Sequence, residues 1–379
     1  MIKINSSNCP LFNTGLYIEK VTGDSAKISM CCYQTQSETL HSVVDFKNND
    51  YLESLRNSTD NVDQCSPCAY TETHGNQSYR QAAISAGNAF RDSTVLTTLT
   101  YNCENICNLT CLTCGPRYSS KWKPLYQKMG YPVTDIVKES THHNQLYRDL
   151  DLSNLEFLHF QGGEPLLTQD HVEIIRQLKD QNNLENVIIS YNTNGTVMVD
   201  PEVIELWKQA KLVKLYFSID AVGEQFELIR NPAVWAQVEQ TMFAYRDLDL
   251  PNLWLEIGTT VSIANLFYIQ DLIDWRDQHY ASMLNGDKIN IYINIAGGIS
   301  YGSRALLLNN ISHKVKEAAL AYADTLTDEP IKNILNSVLN TIKIRDNLAA
   351  PREYLDTVDK FKRTNWQQTL FKLHQHINE

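Results

Sequence analysis

Three cysteines within eight residues constrain this chain more than any other feature. Cys107-Asn-Leu-Thr-Cys111-Leu-Thr-Cys114 is a C-x3-C-x2-C run. Thiolates this close together can hold three irons of a [4Fe–4S] cube and leave the fourth without a protein ligand. An open iron can bind and activate a small molecule, whereas a site closed by four cysteines mostly carries electrons or braces the fold. The same spacing also suits a zinc site or a buried thiol cluster.

Composition narrows the setting. The chain has 379 residues, enough for one large α/β domain plus a small one. Its N-terminus has no signal-peptide h-region, and no apolar stretch approaches the ~20 residues of a membrane span. Nine cysteines are too sparse here for a disulfide scaffold, and they cluster, which in a reducing cytosol reads as metal sites. The expected compartment is the bacterial cytoplasm, with no membrane partner. A net charge of −11 argues against a general nucleic-acid groove, which needs a basic stripe.

The pattern along the chain predicts an α/β fold. Six β-rich runs, 95–101, 155–160, 187–191, 213–219, 254–261 and 289–295, alternate with helical or loop segments. Their apolar character suits parallel strands buried on both faces. Helices are expected at 171–181 and 202–210, the second starting at Pro201 with Asp200 as N-cap. Six β/α units make a partial (β/α)6 TIM barrel, assigned to 94–300, with a lateral opening and its chemistry at the C-terminal strand ends. Residues 1–75 read as a small N-terminal domain with short β segments at 15–19 and 26–30, and 76–93 as a linker. The 301–379 stretch reads as a helical C-terminal extension, with helices at 315–325, 331–342 and 366–376. It shows no chemistry and reads as packing, or else as a lid or docking surface.

Three further motifs follow in order. Gly162-Gly163-Glu164-Pro165 comes after the second run, Thr193-Asn194-Gly195 after the third, and Ser218-Ile219-Asp220 through Glu227 to Arg230 after the fourth. With the cysteine run, they resemble the signature of radical S-adenosylmethionine (SAM) enzymes. The resemblance implies that the open iron chelates the amino and carboxylate groups of SAM. One electron then cleaves SAM into methionine and a 5′-deoxyadenosyl radical that abstracts hydrogen from a substrate. It assigns Gly162, Gly163 and Glu164 to the SAM amino group, and Ser218 and Arg230 to the carboxylate, which suits a hydroxyl and a bidentate fork. Asp220 would bind the ribose or brace Arg230. Asn194 would line the pocket or belong to a plain turn. Thr260, in Ile257-Gly-Thr-Thr-Val-Ser262, would lie near the adenine and ribose.

A second cysteine set precedes the barrel: Cys9, then Gly23 and Cys31-Cys32, then Cys65-Ser-Pro-Cys68. This resembles the twitch form of the SPASM auxiliary-cluster domain, as do the following Glu72, Gly75, Ser78 and Arg80, and Gly115 through Trp122. It implies a second, auxiliary [4Fe–4S] cluster on Cys9, Cys31, Cys65 and Cys68. Cys32 can replace Cys31, since neighbours on an extended strand point to opposite faces. In many relatives the auxiliary domain follows the barrel, and a four-cysteine zinc ribbon is the alternative. Cys103 and Cys32 read as small buried hydrophobes or as hydrogen-atom donors. His142, His143, His374 and His376 lack partners at ligand spacing and read as exposed.

The resemblance implies a flavodoxin- or ferredoxin-type reductant and, as substrate, a peptide or protein that is crosslinked, epimerised or otherwise oxidised. A sugar, aminoglycoside or nucleoside-like metabolite is the alternative substrate. A non-catalytic metal-binding protein is the remote alternative.

Overall fold

The computed structural model describes residues 4, 7–22, 25–32, 34, 37–40, 45–58, 62–73, 78–85, 94–133, 147–248, 250–280, 289–297 and 300–377, with backbone alone at 20–22, 25, 40, 70, 82, 103 and 301. The chain forms two compact units. The first is Met1–Glu104, Val137–Tyr191 and Val199–Lys214; the second is Asn105–Ile136, Asn192–Met198 and Leu215–Glu379.

In the first unit lie β1 (Gly15–Thr22), β2 (Ser25–Ser29), β3 (Glu38–Leu40), β4 (Thr98–Cys103), β5 (Phe157–Gly162) and most of β6 (Ile188–Thr193). Strand β7 (Leu212–Ser218) starts in the first unit and ends in the second, where β8 (Leu253–Val261) and β9 (Ile291–Ile295) follow. The strand order β3-β2-β1-β4-β5-β6-β7-β8-β9 has two free ends, so the sheet is open. All six predicted runs are strands, with ends shifted by a few residues. The hairpin partners β2 and β3 are antiparallel to their neighbours, whereas β1–β4, β4–β5, β5–β6 and β8–β9 are parallel. Strand β1 therefore extends the parallel sheet by one strand ahead of β4, with Gly15 opposite Thr98 and Glu19 opposite Asn102.

Period-2 patterning fixes the faces of these strands. Leu99 and Tyr101, Leu158 and Phe160, Ile189 and Tyr191, and Val213, Leu215 and Phe217 are all fully buried. A one-residue slip would turn each set to the other face. The helix Asp170–Asp180 supplies Ile174, Ile175 and Leu178 to the core of the first unit. In the second helix expected here, Pro201–Trp207, Pro201 does stand in the first turn and Asp200 at the N-cap, but the Asp200 side chain makes no capping bond.

The C-terminal stretch is helical, as expected. His313–Asp324 is capped by Ser312 and Glu329–Thr341 by Asp328, and the 366–376 segment divides into Trp366–Thr369 and Phe371–Ile377. A further helix, Ala349–Lys362, buries Pro351, Tyr354, Leu355 and Val358 along one face. No helix among the described residues is long and apolar enough to cross a membrane.

His171 sits in the core of the first unit, 2 % exposed, edge-on to Tyr191, with Nδ1 3.2 Å from the Tyr191 hydroxyl. Burial pushes its pKa down from 6.5 to about 4. Between those values the unfolded chain binds a proton that the folded one refuses, so stability falls as pH drops through this window. The loss is expected to reach about 3 kcal/mol. In denaturant titrations from pH 7 to pH 4, His171→Phe should flatten the slope; a slope unchanged by the substitution contradicts the assignment.

Candidate active site

The cysteine run follows β4 as an irregular loop in the second unit, and side chains from distant parts of that unit hold its backbone. Ser119 Oγ donates to the Leu109 carbonyl (2.6 Å), Trp122 Nε1 to Cys111 (3.0 Å), Tyr354 Oη to Leu112 (3.0 Å) and Ser300 Oγ to Cys114 (2.9 Å). The Lys362 ammonium donates to the Thr110 carbonyl and lies 4.2 Å from the centre of the buried Trp122 ring. Two loop amides are also taken: Thr110 N–H by the Asn231 carbonyl (2.6 Å) and Leu112 N–H by Ile229 (2.8 Å). A loop with so many fixed peptide groups has little freedom to rearrange.

The thiols sit among cations and amides. Arg230 Nη1 is 3.8 Å from Cys111 Sγ, and Asn194 Nδ2 is 3.8 Å from Cys107 Sγ. The Leu109 N–H lies 3.5 Å from the same Cys107 sulfur. Burial raises the Cys111 thiol pKa, with Arg230 opposing, and burial raises Cys114 as well. Burial pushes the Lys362 ammonium down to about 7, while Cys111 and Cys114 pull it upward.

Arg230 is 8 % exposed and pairs with the fully buried Asp220, Nη2 to Oδ2 at 2.9 Å. Burial works against the guanidinium charge, but Asp220 and Cys111 outweigh it and hold the pKa above its ordinary value. Asp220 Oδ1 accepts the Thr260 N–H (2.8 Å), and Asn265 Nδ2 donates to the Asp220 carbonyl (2.8 Å). Of the two roles open to Asp220, the brace for Arg230 is present in this geometry. Asn194 also has a structural use: Nδ2 donates to Asn108 Oδ1 (2.9 Å), and Oδ1 accepts from the Thr196 amide (2.9 Å) and hydroxyl (2.6 Å). Ser218 ends β7, half-buried.

Gly162, Gly163 and Glu164 lie in the first unit, where β5 ends. Gly162 has φ 130°, a region L-residues avoid, and the Gly163 N–H donates to the Glu104 carbonyl (3.0 Å). Glu164 is fully buried, and its Oε1 accepts the Leu166 N–H (3.2 Å). Cys103 ends β4, and its side chain lies outside the described residues.

Within the first unit, Cys9, Cys31, Cys65 and Cys68 line one cavity together with Gln34 and Arg80; Cys32 is not among its lining residues. Burial pushes the Cys9 and Cys32 thiols up to about 12 and Cys65 up to about 11. Gln34 Nε2 stands 3.8 Å from Cys65 Sγ. Arg80 forks onto Glu72 (2.9 and 2.6 Å) and donates to the Asn8 carbonyl (2.7 Å), while Ser78 also donates to Glu72. Gly23, Gly75, His142 and His143 lie outside the described residues. His374 and His376 are packed rather than exposed: His374 is edge-on to Trp366, and His376 stacks on Phe267 at 4.5 Å.

Both donor sets suit iron–sulfur chemistry, being soft thiols beside hydrogen-bond donors and cations. At the cysteine loop, Arg230 Nε is buried without an aligned hydrogen-bond partner, a donor that an anionic ligand can take up. Among the described residues, no three His, Cys, Asp or Glu side chains converge on a single metal ion. The sequence reading did not find Ser300, Tyr354 or Lys362. Their contacts to the loop cross 186 to 252 residues, and no local spacing signals them.

The profile of the Radical SAM superfamily matches residues 101–272. Over 114 residues the chain is 31% identical to a GTP 3',8-cyclase of Limosilactobacillus fermentum, covering 30% of each protein. Over 126 residues it is 30% identical to a GTP 3',8-cyclase of Actinobacillus pleuropneumoniae, covering 33% of each. The matched part thus spans about a third of the length of these curated relatives. Among solved structures, native anSMEcpe with bound AdoMet aligns at TM-score 0.40 and 17% identity over 66% of this chain and 63% of that one. Streptococcus suis SuiB bound to precursor peptide SuiA aligns at TM-score 0.36 and 9% identity over 86% and 69%. The superfamily match takes in the cysteine loop, the glycine pair with Glu164, and Asp220 with Arg230, so residues 101–272 carry a radical SAM domain.

Proposed function

We propose that this protein is an enzyme that uses a [4Fe–4S] cluster and SAM to abstract hydrogen from an organic substrate. The observation that carries this reading is the braced loop of Cys107, Cys111 and Cys114 with the Arg230–Asp220 pair beside it. When bound, cluster and SAM together supply one-electron cleavage of SAM to a 5′-deoxyadenosyl radical. The three cysteines hold the cluster. Arg230 offers its guanidinium to the SAM carboxylate, with Ser218 nearby in sequence, while Asp220 keeps that guanidinium charged and oriented. Glu164 and the Gly162–Gly163 backbone serve the SAM amino group. Thr260 orients Asp220 through its amide, and Asn194 shapes the loop at Cys107.

The N-terminal segment 1–75 is assigned to a twitch-like auxiliary site, with Cys9, Cys31, Cys65 and Cys68 as ligands and Cys32 outside the set. In the first unit this cavity lies at the start of β1, where Gly15 abuts the Met30 and Leu11 carbonyls. Gly162 lies at the far end of the neighbouring strands, since Gly15, Thr98 and Phe157 share one register position. Five residues of strand put about 16 Å between the two ends. That separation favours electron transfer over direct contact with SAM.

For the substrate, the first reading is a peptide. The supporting observation is a pair of exposed aromatics on one face of β8 and β9, Trp254 and Tyr292, which are 45 % and 46 % exposed. The second reading is a nucleotide-like metabolite, favoured by the stretch of 30–31% identity to GTP 3',8-cyclases. Deuterium transfer from a labelled candidate peptide, or from labelled GTP, into 5′-deoxyadenosine separates the two.

Anaerobic, reduced protein is expected to convert SAM into 5′-deoxyadenosine and methionine, and replacing Cys107, Cys111 and Cys114 together by Ala should abolish this. Unchanged 5′-deoxyadenosine formation in the triple variant would refute the assignment. Replacing Cys65 and Cys68 by Ala should lower iron from about eight to about four per chain and leave SAM cleavage measurable while substrate conversion collapses. Circular dichroism serves as the folding control. About four irons and one zinc in the unsubstituted protein would instead make the N-terminal site a zinc site.

A further inference from the structure

The C-terminal stretch carries no motif, yet its helix Ala349–Lys362, in the second unit, reaches the cysteine loop at two points about two turns apart. Tyr354, 2 % exposed, donates to the Leu112 carbonyl, and Lys362 in the last helical turn donates to the Thr110 carbonyl. The helix can come this close because Gly302 has no side chain. A Cβ there would sit 2.3 Å from the Tyr354 ring. The Gly302 N–H is itself held by the Tyr126 hydroxyl (3.1 Å). Both carbonyls flank Cys111, whose sulfur already has Arg230 on it at 3.8 Å. Lys362 therefore brings a second cation to that cysteine, seated over the face of the buried Trp122 ring.

We propose that Lys362 is a positioning residue that fixes the cysteine loop and, as a buried counter-charge, raises the reduction potential of the cluster the loop holds. The proposal rests on the radical SAM reading. Reduction adds one electron, from an external one-electron donor, and so one negative charge to the cluster. A cation held beside Cys111 favours the reduced form, since cluster potentials follow net charge and hydrogen bonding around the sulfurs. Tyr354 shares the mechanical part of this task without the charge. A purely packing helix would influence folding but would have no reason to move the potential.

The test compares full-length wild-type protein with Lys362→Met, Lys362→Arg and Tyr354→Phe. Each is reconstituted anaerobically, assayed for iron, checked by circular dichroism, and titrated with dithionite while the reduced-cluster signal is followed by electron paramagnetic resonance. Met keeps an apolar stem over Trp122 and removes the charge, but it also leaves the Thr110 carbonyl without its Lys362 donor, so circular dichroism and the Lys362→Arg variant separate folding from charge. The expected result is a midpoint potential shifted to more negative values in Lys362→Met, restored in Lys362→Arg, and little changed in Tyr354→Phe. Loss of iron from Lys362→Met with retention in Lys362→Arg also supports the proposal. A wild-type potential in folded, iron-loaded Lys362→Met overturns it, and so does equal iron loss in the Met and Arg variants. Wild-type protein that shows no reducible four-iron signal at the Cys107 loop overturns the radical SAM reading itself, and this proposal with it.

Discussion

The site depends on how the loop from Leu109 to Cys114 is held. Carbonyls at five of its residues are tied by Ser119, Lys362, Trp122, Tyr354 and Ser300, and two of its amides by the backbone at Ile229 and Asn231. A cysteine loop that had to order itself around iron would lose conformational entropy when it bound. Here packing within the unit has already removed much of that freedom, so donor positions are set by the fold. Replacing one donor leaves a buried carbonyl unsatisfied, which is more damaging than the net worth of the bond.

Electrostatics follow from the same arrangement. Burying Arg230 is unfavourable alone, and Asp220 compensates it from the end of the β7 segment, with Thr260 and Asn265 fixing Asp220 in turn. Thiols that burial keeps protonated release protons when they bind iron, so loading should favour higher pH. The N-terminal cavity repeats the logic with other residues. Gln34 reaches Cys65, and Arg80, anchored by Glu72, stands at the wall.

Much of this was legible in the sequence because the information is local. The cysteine spacing, the glycine pair before Glu164 and the period-2 apolar runs are read from neighbours, and all six runs are strands. The Ala349–Lys362 helix was not expected, although its signals are local too: Pro351, Tyr354, Leu355 and Val358 fall at helical spacing, and proline suits a first turn. The parallel pairing of β1 with β4 was not legible. Gly15–Thr22 reads as a short hairpin strand, and nothing local says that its other edge joins a strand 80 residues away. The roles of Tyr354 and Lys362 were hidden for the same reason, since a Tyr and a Lys on a helix face are ordinary until the fold brings them to a carbonyl.

The central claim is that the Cys107 loop holds a cluster with one iron free for SAM. Electron–nuclear double resonance of the reduced protein, mixed with SAM labelled with 15N at the amino group and 17O at the carboxylate, tests this directly. The account predicts hyperfine coupling of both labels to the cluster, lost when Cys107, Cys111 and Cys114 are replaced. A four-iron signal from this loop with no coupling to either label would contradict it.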